Sequence, residues 1–599
     1  MKPIKTNRRQ GMALVAAVLA ALAAASMAMV MMTMAASANR SAESHRHETR
    51  AAFLAEGAVE SARVMIREAL TNLDDPPESG TVMLGTSSVD YTITQVGPLD
   101  VTTDESGLQS FVRTYQIDAT AVEGQHRKTA HRLIEAQQVP IFQFALFYEN
   151  DMELWPGPEM TIAGRIFCNA DIYLGCNRSL TVNTNYLHAA GQLYNRRKHN
   201  SDVNDSPVNV RRWVADPWDE SEPVEYRPLL HQGDFDALGI STTSGFDSDF
   251  AGHDANGNGS FFDAGDWLPF SLEAMERWSE PDFYSDGTGT TLMTGGMGTT
   301  SHTIPPVLSI AMFDEDTDNG NYEWNAASDR YIEVPAGTGT HAQGPYHRDA
   351  DLSIITHTDG SWEAFDGDGF DVSGDLAAAG AISQVETYDA RQAEGSGDSI
   401  DVTVIDLAAI TAAGYFPSNG LLYTAGYGVG TGTDVAGFQI TNGAELAGPL
   451  TVVSESSLFV HGDYNVVSKQ PASVIADAVN LLSNAWDNSK TPGVIPLAAE
   501  TTYNMAIVTG NIPSREDVYN GGVENLPRFH ENWKNLNCNL NGSIACTWFS
   551  KYATGDHSGV SDLRRPPRRN WDYDPDFNDF SNLPPFTPTT TTIRDVVRW

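Results

Sequence analysis

The sequence predicts an α+β protein: a long N-terminal helix, a small antiparallel β unit, and a large mainly-β domain, a β-solenoid with a β-sandwich as the alternative. Three observations carry this. No Gly or Pro occurs from Met12 until Gly57. Residues 80–140 then change to apolar/polar alternation, and the long stretch 141–500 consists of short β-prone bursts between Gly, Asn and Asp turns.

Residues 1–11, MKPIKTNRRQG, are basic and end in glycine. The run from Met12 to Ala38 is apolar and uncharged, and about 20 such residues suffice for a helix to cross a bilayer. Lys2, Lys5, Arg8 and Arg9 precede it, which predicts a cytoplasmic leader and export of everything beyond about Asn39. A secretory signal would have a shorter apolar core followed by a small-residue cleavage site. Here the Gly11–Met12 junction lies ahead of the core, so a cut there leaves the helix intact; a plain signal-anchor helix is the alternative.

Segment 39–72 continues the helix. Ala55, Ala58, Val59, Ala62, Met65, Ile66 and Leu70 recur at three-to-four spacing, with Glu56, Glu60, Arg63 and Arg67 on the other face. A helix from Met12 to Leu70 would be about 88 Å long at 1.5 Å per residue. Asp74-Asp75-Pro76-Pro77 ends it, because proline has no N–H for the ladder. VDYTITQV (Val89–Val96) and FVRTYQIDATAV (Phe111–Val122) read as period-two strands. His126–Val139 reads as a third strand, with a short helix as the alternative.

In the middle, MTIAGRIFCNADIYLG (Met160–Gly175), ELAGPLTVVSESSLFVHGDYNVV (Glu445–Val467) and PASVIADAVNLLSNAW (Pro471–Trp486) suit coils that each bury a short apolar row. No strict period emerges. Residues 213–370 form a Trp- and Asp-rich insert, and 501–599 a C-terminal closing segment.

The formal net charge of the 599 residues is -41, and the first 70 residues are net positive. The acid excess therefore belongs to the exported part, which would repel nucleic acid and anionic membranes. With 41% hydrophobic residues it is not a disordered composition. Cys168 and Cys176 have the same spacing as Cys538 and Cys546. In an exported chain this predicts disulfides, local pairing being favoured because short loops close easily, with crossed pairing as the alternative. Zinc is disfavoured, since neither pair has the usual ligand gap or a histidine set.

The strongest chemical motif is DANGNGSFFDAGD, where Asp254, Asn256 and Asn258 alternate before Gly259 and are followed by Asp263 and Asp266. Alternating oxygen ligands around a Gly turn can wrap one hard cation, and calcium is the expected ion. Gly265 stands where an EF-hand has its closing Glu, so Asp263 or Asp266 must close the site, with the Ser260 carbonyl as a further ligand. Asp314, Asp316 and Asp318 repeat the theme, and Asp366–Asp371 (DGDGFD) is a weaker echo. A solvated Asn/Gly turn is the alternative throughout.

No GxSxG, HExxH or GxxxxGKS motif occurs, so no enzyme class is indicated. His45 and His47 read as a solvated juxtamembrane pair and His461 as a structural or turn residue. Arg564, Arg565, Arg568 and Arg569 form a dense positive patch beside Pro566 and Pro567. It suits an acidic surface of this same molecule or an anionic partner.

The Gly11–Met12 junction ahead of an apolar helix resembles the class III signal of type IV pilins and type II secretion pseudopilins. In those proteins a prepilin peptidase cuts after the glycine and methylates the new N-terminus, here Met12. The fifth mature residue is Ala16, where major pilins have glutamate, so the resemblance is to PilX-type minor pilins and large tip pseudopilins. ETRAAFLAEGAVESARVMI (Glu48–Ile66) resembles the second half of the PilX N-terminal helix. QFALFYENDMEL, the three middle bursts, GGVENLPRFHENW, SKYATG, RRPPRRNWDYDPDF and LPPFTP occur in the order found in large PilX-type pilus assembly proteins. The insert lies largely outside this match.

The resemblance implies an inner-membrane, single-pass precursor with its ectodomain in the periplasm or on the cell surface. Its partners would be other pilins or pseudopilins and the prepilin peptidase, with no nucleic acid. Without the acid at Ala16, which in the family pairs with the preceding subunit's N-terminal amine, a tip or initiating subunit is expected. A fibre-displayed adhesin or carbohydrate binder and an anchored polysaccharide-active β-helix enzyme are the alternatives.

Overall fold

A computed structural model describes residues 8–598, apart from 105–106, 203, 205, 214–223, 230–247, 249, 264, 267, 280–289, 311–321, 326–329, 334–343, 358–359, 390–398, 427–436, 490–495, 516–517, 552, 554 and 556–564. Helix α1 (Arg8–Thr71) is continuous over 64 residues, in keeping with its alanine content and the lack of Gly or Pro from Met12 until Gly57. At its end, Leu73 adopts the left-handed conformation (φ 57°), and the Asp74 N–H bonds the Ala69 carbonyl at 2.8 Å.

Beyond the turn come β1 (Ser79–Leu84), β2 (Ser87–Gln95), β3 (Asp100–Thr103), β4 (Gln109–Glu123) and β5 (His126–Pro140). They form an antiparallel sheet in the order β1-β2-β4-β5, with β3 also pairing with β4. The ambiguous segment after His126 is thus a strand. On the face toward α1, Val89, Tyr91, Ile93, Tyr115, Ile117, Ala119, Ala121, Ala130, Ile134 and Ala136 bury the stripe Ala55, Ala58, Val59, Ala62, Ile66 and Leu70. Met65 is half-buried and accepts a hydrogen bond from the Tyr91 hydroxyl at 3.1 Å.

The far edge of this sheet is formed by the end of the chain. Thr589–Arg598 pairs antiparallel with β5, from Thr589↔Pro140 to Arg598↔Arg132. Everything between Ile141 and Pro588 is therefore inserted between two neighbouring strands, and the two crossings touch: the Ile141 N–H bonds the Pro588 carbonyl at 3.0 Å. Segment 501–599 is accordingly divided. Its last strand joins the small sheet, and its earlier strands join the large region.

That region begins with β6 (Phe144–Tyr148), β7 (Met152–Leu154), β8 (Met160–Ala163), β9 (Arg165–Cys168), β10 (Ile172–Leu174) and β11 (Leu180–Asn183). Several sheets run through it, and among the described residues most of their pairings are parallel. The largest has 14 strands. One row of side chains traces it in register: Leu292, Leu187, Ile166, Leu146, Ile544, Ile507, Val474, Val452, Leu422 and Leu352. All ten are buried in one core, a continuous apolar row roughly 43 Å long at about 4.8 Å per strand.

The order within the row explains the adjacent crossings. The chain enters at Leu146 in the middle of the stack and proceeds to Leu292 at one end. It then resumes at Leu352 at the opposite end and returns to Ile544, beside its starting point. The other face is buried as well, with Phe147, Phe167, Tyr423, Val453, Ile475, Val508 and Ala545 in a second core. Strands buried on both faces lose the polar alternation, which is why Leu450–His461 and Ala472–Leu482 read as unbroken bursts. Part of the insert joins the core: the helix Phe270–Arg277 contributes Phe270 and Ala274, and Trp278 is fully buried.

Candidate functional site

Among the described residues, nothing packs on the first half of α1 beyond Gly11. Met12 is 78% exposed, and Leu14, Val15, Val18, Leu19, Leu22, Met27 and Met31 are all exposed. The most apolar part of the helix between Met12 and Thr71 has a mean hydropathy of 2.4 and no buried residue. Gly11 lies within the helix just before this surface, and Ala16 is on the helix's third turn. Packing begins abruptly at Ala51.

Just before that point the β4–β5 turn clamps the helix. Glu123 faces His47 at 3.6 Å and Arg50 at 3.5 Å, Lys128 meets Glu48 at 2.7 Å, and Ser44 bonds His126 at 2.9 Å. The Lys128 ammonium holds the Glu48 carboxyl below its usual range. His47 thus belongs to this clamp, and His45 is exposed beside it, 3.7 Å from Glu48. A second junction, which the sequence reading missed, lies further along. The Arg132 side chain, 3% exposed, reaches Glu56 at 2.5 Å, Glu60 at 2.7 Å and Asp595 at 3.5 Å. Arg63 adds a bond to the Ile593 carbonyl at 3.0 Å and an ion pair with Asp595 at 3.7 Å. Only the alternation in HRLIEA, which points Arg132 and Ile134 the same way, hinted at this.

Loop 254–266 is closed by its own hydrogen bonds. Asp254 accepts N–H donors from Asn256, Gly257 and Gly259 at 3.2, 2.6 and 2.7 Å, which lower its pKa, Gly259 foremost. The Asn256 and Asn258 amides donate to Asp263 at 3.1 and 2.6 Å. Asp266 accepts from the backbone N–H groups of Ala255 and Asp263, and the Ser260 N–H bonds the Asn258 side chain. The predicted residues are therefore brought together. Among the described residues no group of three or more His, Cys, Asp or Glu is placed to hold a metal. Asp314, Asp316 and Asp318 lie outside the described residues. At the weaker echo, Asp366 accepts the N–H groups of Asp368 and Phe370.

The expected disulfides are corrected. Cys168, Cys176, Cys538 and Cys546 are free, buried thiols. Cys168 ends β9 in the largest sheet, whereas Cys176 follows β10 in a different one; Cys538 and Cys546 are likewise on strands of different sheets. Cys168 and Cys546 approach more closely, as both flank Tyr148 in register. Two strand spacings still separate them, roughly 9.6 Å, beyond the about 7 Å a disulfide spans between Cα atoms. Burial pushes the Cys168 and Cys538 thiols up to about 12 and Cys176 up to about 11. These are unreactive protonated thiols, because the thiolate is the nucleophile.

An internal polar cluster contains Asp389, Asp477, Arg528 and His530, each 2% exposed or less. His530 bonds Asn480 at 2.8 Å, Ser550 bonds Asp477 at 2.6 Å, and Arg528 donates to the Ala553 carbonyl at 2.9 Å. Acid and base thus lie together in the interior, His530 and Asp389 at 4.0 Å. His461 is partly buried against Gln439 at 3.3 Å, and burial lowers its pKa.

The arginine patch is divided. Arg569 turns inward to Asn525 at 3.0 Å and to the Glu524 carbonyl at 2.5 Å. Arg565 and Arg568 face outward, and with Arg178 and Lys534 they line an open groove of about 1020 Å³. Arg564 lies outside the described residues.

No protein-family model and no curated protein matches this chain. Among solved structures, a match is the competence-associated pilin ComZ from Thermus thermophilus, at 10% identity over 92% of this chain and 96% of that one, with a TM-score of 0.18.

Proposed function

We propose that this chain is a non-catalytic, PilX-type minor pilin-like subunit of a type IV pilus or related fibre machine, at its tip or initiating position. The observation that carries the reading is the division of α1: a packed half fixed to an antiparallel sheet, followed toward the N-terminus by an apolar half with every side exposed. Such a surface must be covered by lipid or by similar helices, and its Ala residues allow close approach. The basic leader orients the N-terminus toward the cytoplasm before assembly, and a prepilin peptidase is the processing partner. The stacked parallel strands support reading the large region as a β-solenoid carried outside. The buried Asp389, Asp477, Arg528 and His530 cluster is read as structural.

Mass spectrometry of the mature protein tests this. The expected N-terminal peptide starts at methylated Met12; an intact Met1, or a cut beyond Ala38, refutes the reading. We also propose that loop 254–266 takes one calcium ion on Asp254, Asp263 and Asp266, with Asn256 and Asn258 rotated to present their carbonyl oxygens. Isothermal titration should show one site, lost in Asp254→Ala/Asp263→Ala.

A further inference from the structure

The groove beside Pro566 is anomalous on a chain of net charge -41. Arg178, Lys534, Arg565 and Arg568 line it, with Glu159 as the acid among its lining residues. Among the described residues, none of these four cations has an ion-pair partner, although acids outnumber bases 78 to 37 in the whole sequence. Their placement follows from the stack. Lys534 precedes the strand Asn537–Gly542, and Arg568 begins the next strand, paired as Asn537↔Arg568. That strand lies against β8, which Glu159 precedes, and β8 pairs with β11, which Arg178 precedes. Four successive turns thus bring their charged residues to one side of the stack.

We propose that this groove binds a linear carboxylated polysaccharide, lying along the stack with its carboxylates on the arginine forks. Guanidinium groups match carboxylates two bonds at a time. Glu159, Asn535 and the exposed backbone around Gly157 and Pro158 meet sugar hydroxyls. Among the described residues no aromatic ring lines the groove, so they offer no platform on which the bases of single-stranded nucleic acid stack. The dense phosphate charge of duplex nucleic acid is repelled by the surrounding acids, whereas a polysaccharide carries single charges on neutral spacers. The inference is independent of the role of α1.

The test uses the full-length protein in detergent, with polygalacturonate oligomers as probe at 0.15 M NaCl, and neutral dextran, polyglutamate and duplex DNA as comparators. Saturable binding of polygalacturonate that weakens with salt is expected, with none to dextran. Arg565→Glu/Arg568→Glu and, separately, Arg178→Ala/Lys534→Ala should each weaken it by about tenfold or more, while Arg127→Glu on the small sheet leaves it unchanged. These are surface side chains, and unchanged thermal unfolding of the variants verifies that the fold is kept. Absence of polygalacturonate binding overturns the proposal, as does binding that the groove variants do not move. Equal or tighter binding of polyglutamate or duplex DNA also overturns it.

Discussion

Arg132→Met is the most direct probe of how the chain's two ends are joined. Arg132 is 3% exposed and serves three carboxylates on two elements, Glu56 and Glu60 on the helix and Asp595 on the last strand. Methionine keeps most of the buried aliphatic volume, so the loss is chiefly electrostatic. Breaking a fully buried ion pair costs about 3–5 kcal/mol. Glu56 and Glu60 are 56% and 50% exposed, and once released they turn to solvent, so their shares fall toward the surface range of about 0.2–1 kcal/mol each. Asp595, 26% exposed, is left near Glu60 with less compensation. The sum is about 2 kcal/mol, or ~30-fold in the local opening equilibrium. Hydrogen exchange read by mass spectrometry on peptides covering 55–70 and 589–598 should register it in both together, and much less in the large stack. Arg63→Met, whose side chain is 30% exposed and 3.7 Å from Asp595, should cost no more than about 1 kcal/mol. A change below about threefold for Arg132→Met, or an effect confined to one of the two peptides, refutes the idea that this guanidinium ties the helix to the chain end.

Acid should weaken the large region through two histidines. Burial lowers His188 to about 3 and His302 to about 4; both stay neutral in the fold, while the unfolded chain takes up their protons below about pH 6.5. Their contribution is therefore complete above pH 6.5 and is lost as pH falls toward 4, at up to about 1.4 kcal/mol per pH unit for each. Urea unfolding at stepped pH should show this slope, roughly halved in His188→Phe. The four thiols should resist alkylation until denaturant is added, and reducing and non-reducing gels should agree; a species lighter by two hydrogens per pair in the native protein would contradict the free-thiol geometry. Removing residues 589–599 exposes the β5 edge and takes Asp595 from Arg132. The small sheet should then exchange its amides at least tenfold faster, and the unfolding of the stack should be little altered.

What was legible in the sequence is what depends on near neighbours. The buried stripe of α1 follows from three-to-four spacing, and six of its seven expected positions, from Ala55 to Leu70, are buried. The strands after Val89 and Phe111 follow from alternation. The stack order was not legible, because the contact between Leu146 and Ile544 joins residues about 400 positions apart, and nothing local marks them. The same holds for Thr589 beside Pro140. Cysteine spacing misled for a physical reason: seven intervening residues carry the chain from one sheet to another, so equal spacing placed the thiols apart. In the Asp254 loop the local signal was sound for the turn, since Gly257 and Gly259 both take left-handed backbone. It carried no information on whether the carboxylates face a cation or their own amides.

The insertion has a mechanical consequence for the joint between α1 and the stack. Load applied through α1 enters the small sheet through Ala55 to Leu70 and leaves it by two routes, Pro140 into Ile141 and Thr589 back into Pro588. Because β5 and the last strand are neighbours in register, each crossing is braced by the other's ladder. Around them Phe142 lies 6.1 Å from Phe577, Phe111 stacks on Phe580 at 4.0 Å, and Gln138 bonds both the Leu70 carbonyl at 3.2 Å and Thr589 at 3.0 Å. A domain appended at one end would hang from a single strand, free to swivel. Two adjacent connections with a shared apolar seat restrain rotation of the stack against the sheet, so the direction in which α1 points also fixes the direction in which the Arg565–Arg568 groove faces.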